Sequence, residues 1–313
     1  MAKIACIFPG QGSQYVGMGK ELFATGWGQE VLTTGQRVLG EEFIRILLEG
    51  PEEELKKTAY TQPAILLTSM AAWRGLQEAG IRPDYLAGHS LGEYSAYTAA
   101  GSISLEEALR VVRRRGELMQ AAVPEGQGAM AAILGLENAK VEEACRQARE
   151  EGGWIVGPAN YNSPGQVVIS GETDGVQKAC HYAKELGAKR ALPLAVSGPF
   201  HSPLMAEAGK ELRQVLAAVV WQDPGVPVIA NIDGQEVREG SMIVESLVCQ
   251  VSGAVLWEQS IRLLGEQGVD TFIELGPGKV LTGLVKKILP GATLINVEDS
   301  SSLGKATCIF KGE

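Results

Sequence analysis

Between residues 127 and 196 the apolar periodicity of the chain changes in an order that few folds satisfy. A strand pattern in "GAMAAILG" gives way to a helical one in "NAKVEEACRQAREEG". Two short strand patterns, "WIVGPAN" and "GQVVISG", follow back to back, then a helix in "TDGVQKACHYAKELG" and a last strand in "KRALPLAV". This is the β-α-β-β-α-β order of a ferredoxin-like unit. Glycine-rich "PEGQG" leads into it and proline-rich "SGPFHSP" leads out.

The flanks follow another rule. Before the unit, "KIACIFPG" reads as a buried strand, "TQPAILLTSMAAWRGLQEAG" as an amphipathic helix and "PDYLAGHS" as a strand. Helical periods then run through "LGEYSAYTAAG" and "SLEEALRVVRRRGELMQAAV". After the unit, "VPVIANIDG", "VDTFIELGPG" and "ATLINVED" read as strands. "SLVCQVSGAVLWEQSIRLLGEQG" and "KVLTGLVKKILPG" read as the helices between them. Alternation of this kind predicts a mainly parallel sheet covered on both faces. The expected organisation is a large α/β domain from residues 1–126 and 197–313, interrupted by a small α+β subdomain at 127–196, with a cleft where they meet. The final "SSLGKATCIFKGE" has little periodicity and is expected to be irregular.

Charge and cysteine usage narrow the function classes. A formal charge of -9 opposes non-specific attraction to nucleic acid or anionic membranes, so neither partner is expected. No apolar run approaches the roughly 18 residues that span a bilayer, and "MAKIACIFPG" lacks the features of a secretion signal, so a cytoplasmic location is expected. Cys6, Cys145, Cys180, Cys249 and Cys308 are widely spaced without a C-x-x-C pair. They read as buried free thiols, and no metal site is expected.

Residues 88–92, "GHSLG", place Ser90 in a G-x-S-x-G pattern just past a predicted strand. The pattern has two readings, a tight turn or a nucleophile elbow. For the second, small residues at Gly88 and Gly92 permit a sharp strand-to-helix bend. The Leu91 N–H, at a helix N-terminus, is then a ready donor to an oxyanion. A nucleophilic serine also needs a base, and the chain has three histidines. His89 adjoins the serine and is expected to point to the opposite face. His181 falls on a helix among lysines and reads as a surface residue. His201, in the loop "VSGPFHSPLM" at the subdomain exit, is the remaining candidate. No later histidine exists to serve an α/β-hydrolase triad, which disfavours an ordinary esterase.

Taken together, "FPGQGSQ", "GHSLGEYSA", "RRGELMQ", "ANYNSPGQVVISG", "GPFHSPLM" and "IELGPG" resemble, in order and over nearly the whole length, the malonyl-CoA:acyl carrier protein transacylases. The resemblance implies a hydrolase-like α/β domain carrying a ferredoxin-like subdomain. It implies Ser90 as nucleophile and His201 as its base, with the backbone N–H groups of Gln11 and Leu91 as oxyanion hole. The backbone carbonyl of Gln250 would orient the histidine in place of a carboxylate. Arg115 would bind the free malonyl carboxylate, its planar fork suiting two parallel hydrogen bonds. Arg113 and Arg114 read as exposed, since three consecutive residues cannot share one helix face. Phe200 and Leu91 match the malonyl-type rather than the methylmalonyl-type pattern.

The implied reaction is ping-pong: a malonyl-serine ester forms from malonyl-CoA and passes to the phosphopantetheine thiol of an acyl carrier protein, with no cofactor. The pathway expected is type II fatty-acid synthesis, and polyketide synthesis is the alternative. A serine thioesterase would leave Arg115 and Phe200 unexplained. Because carrier proteins are acidic, as this chain is, local basic residues are needed for docking. Lys189, Arg190, Lys286 and Lys287 are the candidates, and ordinary surface charge is the other reading of each. A monomer is expected.

Overall fold

The computed structural model describes residues 3–196 and 198–311. Its strands, in chain order, are β1 (Lys3–Phe8), β2 (Tyr85–Gly88), β3 (Gly128–Leu134), β4 (Val156–Ser163), β5 (Gln166–Glu172), β6 (Arg190–Pro193), β7 (Val228–Ile229), β8 (Glu236–Val237), β9 (Val269–Leu275) and β10 (Thr293–Val297). They form two sheets. The larger has the order β10-β9-β1-β2-β7-β8, parallel except for the β7–β8 edge pair. Side chains of β1 alternate between two cores: Cys6 and Phe8 on one face, Ala5 and Ile7 on the other. A sheet buried on both faces reads as a continuous apolar run, which is why "KIACIF" shows no polar alternation.

The smaller sheet has the order β4-β5-β3-β6, antiparallel throughout and built from residues within 128–193. Ala131, Ile133, Val167 and Ile169 face its two helices, Asn138–Gly152 and Thr173–Glu185. The alternate residues Met130, Ala132 and Val168 point the other way, into a cleft shared with the larger sheet's loops. The two-residue repeat of a strand thus gives one sheet both a private core and a wall of the cleft.

Several expectations need correction. The helix Thr58–Glu78 is not amphipathic: it is buried nearly all round, because the helices Gly26–Leu39, Leu91–Ala99 and Leu105–Ala121 pack against it. The span read as one helix, "SLVCQVSGAVLWEQSIRLLGEQG", is two, Ile243–Ser252 and Trp257–Glu266. Between them Val255 leaves the helix to bond with the small sheet, donating to Ala159 O at 2.8 Å and accepting from Tyr161 N at 2.9 Å. Tertiary pairing overrides the local period there. The C-terminal stretch is a helix, Ser300–Lys311, capped by Asp299 and packed through Leu303, Ala306 and Phe310 against the large core. Gly312 and Glu313 lie outside the described residues. Of the cysteines, Cys6 and Cys145 are buried but Cys249 and Cys308 are exposed. Among the described residues no helix is long and apolar enough to cross a membrane.

A very close backbone approach lies where β2 turns into the helix Leu91–Ala99. A Cβ added to Gly92 would sit 2.0 Å from Phe8 O, and one on Gly88 would sit 1.9 Å from the Gly92 carbonyl. Both obstacles are backbone atoms that cannot rotate away. Gly92→Ala is therefore expected to cost at least about 3 kcal/mol, the upper end for overpacking. A urea midpoint within error of the unsubstituted protein would contradict this packing account.

Candidate active site

Ser90 occupies the bend itself, with φ 51° and ψ -104°, a conformation rare for a residue with a side chain. Its neighbours hold it there. The Ser90 N–H donates to Asn231 Oδ1 at 2.7 Å, and Asn231 Nδ2 donates to Gly88 O at 2.7 Å. Gln250 Nε2 donates to the Ser90 carbonyl at 3.0 Å. Although Ser90 is the N-cap residue of its helix, its hydroxyl makes no capping bond. It lies instead 2.7 Å from His201 Nε2.

His201 also has positive φ, 58°, and its Nδ1 lies 2.8 Å from the backbone carbonyl of Gln250. A carbonyl only accepts, so Nδ1 carries the proton and Nε2 is the acceptor toward Ser90. Burial, helped by the nearby Arg115 charge, pushes the His201 pKa down to about 3 and keeps the ring neutral at pH 7. A hydroxyl bonded to a neutral imidazole can lose its proton as it attacks a carbonyl. Leu91 supplies the first N–H of the helix, one of the donors a helix leaves without an internal carbonyl.

Arg115, on Leu105–Ala121, lies fully buried behind the serine. Its Nη2 donates to Ser90 Oγ at 3.2 Å and to Gln250 Oε1 at 2.9 Å, while Nε and Nη1 have no partner among the described residues. The guanidinium sits 5.3 Å from the Tyr94 ring centre. Two unsatisfied donors on a buried cation are what an incoming carboxylate would complete. Arg113 and Arg114 instead face outward and pair with Glu117.

A family model described as an acyl transferase domain matches residues 5–306. The chain belongs to this acyl transferase family. It is similar to the malonyl CoA-acyl carrier protein transacylase of Bacillus subtilis, 48% identical with 100% of this chain and 99% of that protein covered. The Escherichia coli protein of the same name is 45% identical, with 98% and 99% covered. Among solved structures, an acyl carrier protein S-malonyltransferase from Vibrio cholerae superposes with a TM-score of 0.94 at 45% identity, covering 97% of this chain and 100% of that one. A malonyl-transacylase in complex with a holo type II PKS acyl-carrier protein gives 0.95 at 45% identity, covering 98% and 99%.

In this acyl transferase the cleft has a volume of about 520 Å³, and Gln11, Ser90, Leu91, Phe200 and His201 line it together. Gln11 is pinned through its side chain, which donates to Thr58 Oγ1 at 3.3 Å. Phe200 is buried against the large core beside His201. Lys189, Arg190, Lys286 and Lys287 are not brought to the serine; all four are exposed. Lys287 spans the two sheets' territories by donating to Gln166 Oε1 at 2.9 Å.

His89 departs from expectation. It lines the same cleft as Ser90, because β2 ends at Gly88 and strand alternation stops with it. Its Nε2 is engaged by Asn162 Oδ1 at 2.8 Å, and burial pulls its pKa below the usual histidine range. His181 is exposed and pairs with Glu185. Asn231, Asn162 and Glu93 escaped the sequence reading. A signal for Glu93 was present: Ser90 and Glu93 have the S-x-x-E spacing of a capping box. Here the box is redirected, Ser90 toward His201 and Glu93 toward Asn231 and Gln250.

A histidine near pKa 3 when folded and 6.5 when unfolded has a definite pH signature. The folded ring refuses a proton that the unfolded ring accepts, so this group's contribution to stability falls as pH drops below 6.5. The His201 ring, assigned by histidine NMR, is expected to remain neutral at pH 5.5. Titration near 6.5 would contradict the burial argument.

Proposed function

We propose that this acyl transferase moves a malonyl group from malonyl-CoA to the phosphopantetheine thiol of an acyl carrier protein through a malonyl ester on Ser90. The observation that carries the reading is the buried Arg115, with two donors unsatisfied, 3.2 Å from the Ser90 hydroxyl. A neutral acyl group would leave that cation unpaired, whereas a malonyl carboxylate pairs it. The similarity to malonyl CoA-acyl carrier protein transacylases, and to a malonyl-transacylase bound to an acyl-carrier protein, supports the same donor and acceptor.

In the first half-reaction Ser90 Oγ attacks the thioester carbonyl as His201 Nε2 takes its proton. The developing oxyanion is stabilised by the N–H groups of Gln11 and Leu91. Collapse breaks the C–S bond, His201 returns the proton to the CoA sulfur, and the ester remains. In the second, the carrier thiol gives its proton to His201 and attacks the ester carbonyl. The C–O bond breaks and the proton returns to Ser90. The Gln250 carbonyl holds the tautomer throughout, the task a carboxylate performs in a triad. Nucleophile, base and oxyanion donors all come from the chain, so the chemistry calls for no metal or cofactor. Phe200 beside the base narrows the space for a branched acyl group, a discrimination worth about 1 to 3 kcal/mol per methyl.

For the pathway we propose type II fatty-acid synthesis in the cytoplasm, and preference between a fatty-acid and a polyketide carrier protein is its test. Lys189, Arg190, Lys286 and Lys287 are proposed as carrier contacts, their exposure and positive charge suiting an acidic partner. Reversing Lys189 and Arg190 is expected to raise the KM for carrier protein and leave acylation by malonyl-CoA unchanged. An unaltered KM removes both.

The central experiment incubates the enzyme with malonyl-CoA and acetyl-CoA separately and maps the acylated residue by mass spectrometry. A malonyl adduct on Ser90, absent from Ser90→Ala, is expected. Arg115→Ala is expected to lower malonyl kcat/KM by about 10²–10³-fold, from the loss of one partner of a buried pair. Retained malonyl activity would mean that another group holds the carboxylate.

A further inference from the structure

Glu93 lies one helical turn beyond Ser90, fully buried, and neither step above uses it. Among the described residues no cation forms an ion pair with it, and its hydrogen-bond partners are neutral. Oε2 accepts from the Asn231 backbone N–H at 3.1 Å and from Gln250 Nε2 at 2.7 Å; Oε1 accepts from the Tyr97 hydroxyl at 3.4 Å. Each of the first two donors belongs to a residue that holds the site. Asn231 fixes the bend on both sides of Ser90, and Gln250 touches Ser90, His201 and Arg115 at once.

The Gln250 side chain has one donating and one accepting end, and its environment distinguishes them completely. The NH₂ end faces three acceptors: Glu93 Oε2, Ser90 O and, at 3.4 Å, Asn231 Oδ1. The Oε1 end faces the Arg115 guanidinium, which only donates. A flipped amide would set oxygen against three oxygens and NH₂ against a cation. The Glu93 contact is the shortest of the three and the one with a carboxyl acceptor, so it contributes most to that preference. With the amide fixed, Arg115 Nη2 is held and Nε and Nη1 stay available to a substrate.

We propose that Glu93 is a positioning residue that sets acyl selectivity: by orienting the Gln250 amide it holds Arg115 in the pose that receives an acyl carboxylate. This rests on the reading of Arg115 given above and deepens it. The carboxyl need not be ionised for this role, since burial lifts its pKa to about 7 and either form keeps an accepting oxygen for Gln250.

The test compares rates of Ser90 acylation by malonyl-CoA and acetyl-CoA in the unsubstituted enzyme and three variants. Glu93→Gln keeps an accepting oxygen. Glu93→Asp withdraws it by one methylene, and Glu93→Met fills the space without one. The malonyl-to-acetyl rate ratio is expected to stay within about threefold in E93Q. It is expected to fall at least about threefold in E93D and about tenfold in E93M. A proportional loss with both donors in E93D and E93M, leaving the ratio unchanged, signals a purely structural role and overturns the proposal. Collapse of the ratio in E93Q to the E93M value also overturns it. If E93M does not fold, the ratio in E93D decides. An unsubstituted enzyme without preference for malonyl-CoA would instead remove the reading of Arg115 itself, a distinct result.

Discussion

Backbone-to-backbone contact between the end of β2 and the helix that follows is the constraint on which the site depends. Phe8 O, Gly88 and Gly92 meet so closely that neither glycine could carry a Cβ. That approach forces the intervening residue into positive φ and turns its side chain away from the helix it would otherwise cap. The strain is sustained because Asn231 grips the turn from both sides and Gln250 holds its carbonyl. Ser90 is thereby presented to the cleft with its hydroxyl committed to His201.

Around that turn the protein buries Glu93, Arg115, His201, Asn231 and Gln250, and these groups aim one another. Arg115 is desolvated, which works against its charge, and Glu93 stands behind it through Gln250. The burial that keeps His201 neutral also leaves Arg115 Nε and Nη1 without a hydrogen-bond partner among the described residues. One low-dielectric environment thus does two things at once: it keeps an imidazole unprotonated and holds a cation with two nitrogens unsatisfied among the described residues. The small sheet completes the enclosure, since Met130, Ala132 and Val168 line the cleft from the far side.

Legibility in the sequence followed the range of the interactions. The ferredoxin-like order, the parallel strands and the elbow were readable because strand and helix periods and glycine spacing are local. The helix break at Gly253 was not, since it exists for a hydrogen-bond exchange with Ala159 and Tyr161 on another sheet. Nor was the burial of Thr58–Glu78, which depends on three helices surrounding it. The terminal helix was missed because its apolar contacts are few, at Leu303, Ala306 and Phe310, and its cap, Asp299, precedes the stretch that was read.

The sequence by itself determined that a serine stands at a turn between glycines, that few histidines could serve it, and that a small α+β unit interrupts a larger α/β one; the strain at that turn came only with the structure. Resemblance to a known family supplied Arg115, Gln11 and Gln250, which periodicity could not single out. Only the tertiary structure decided that Asn231 and Gln250, 141 and 160 positions from Ser90, close around it, and that Glu93 faces them rather than its own helix terminus. The physical reason is that hydrogen-bond partnership depends on position and direction in space. Residues far apart in the chain acquire those only when the sheets and helices between them have packed.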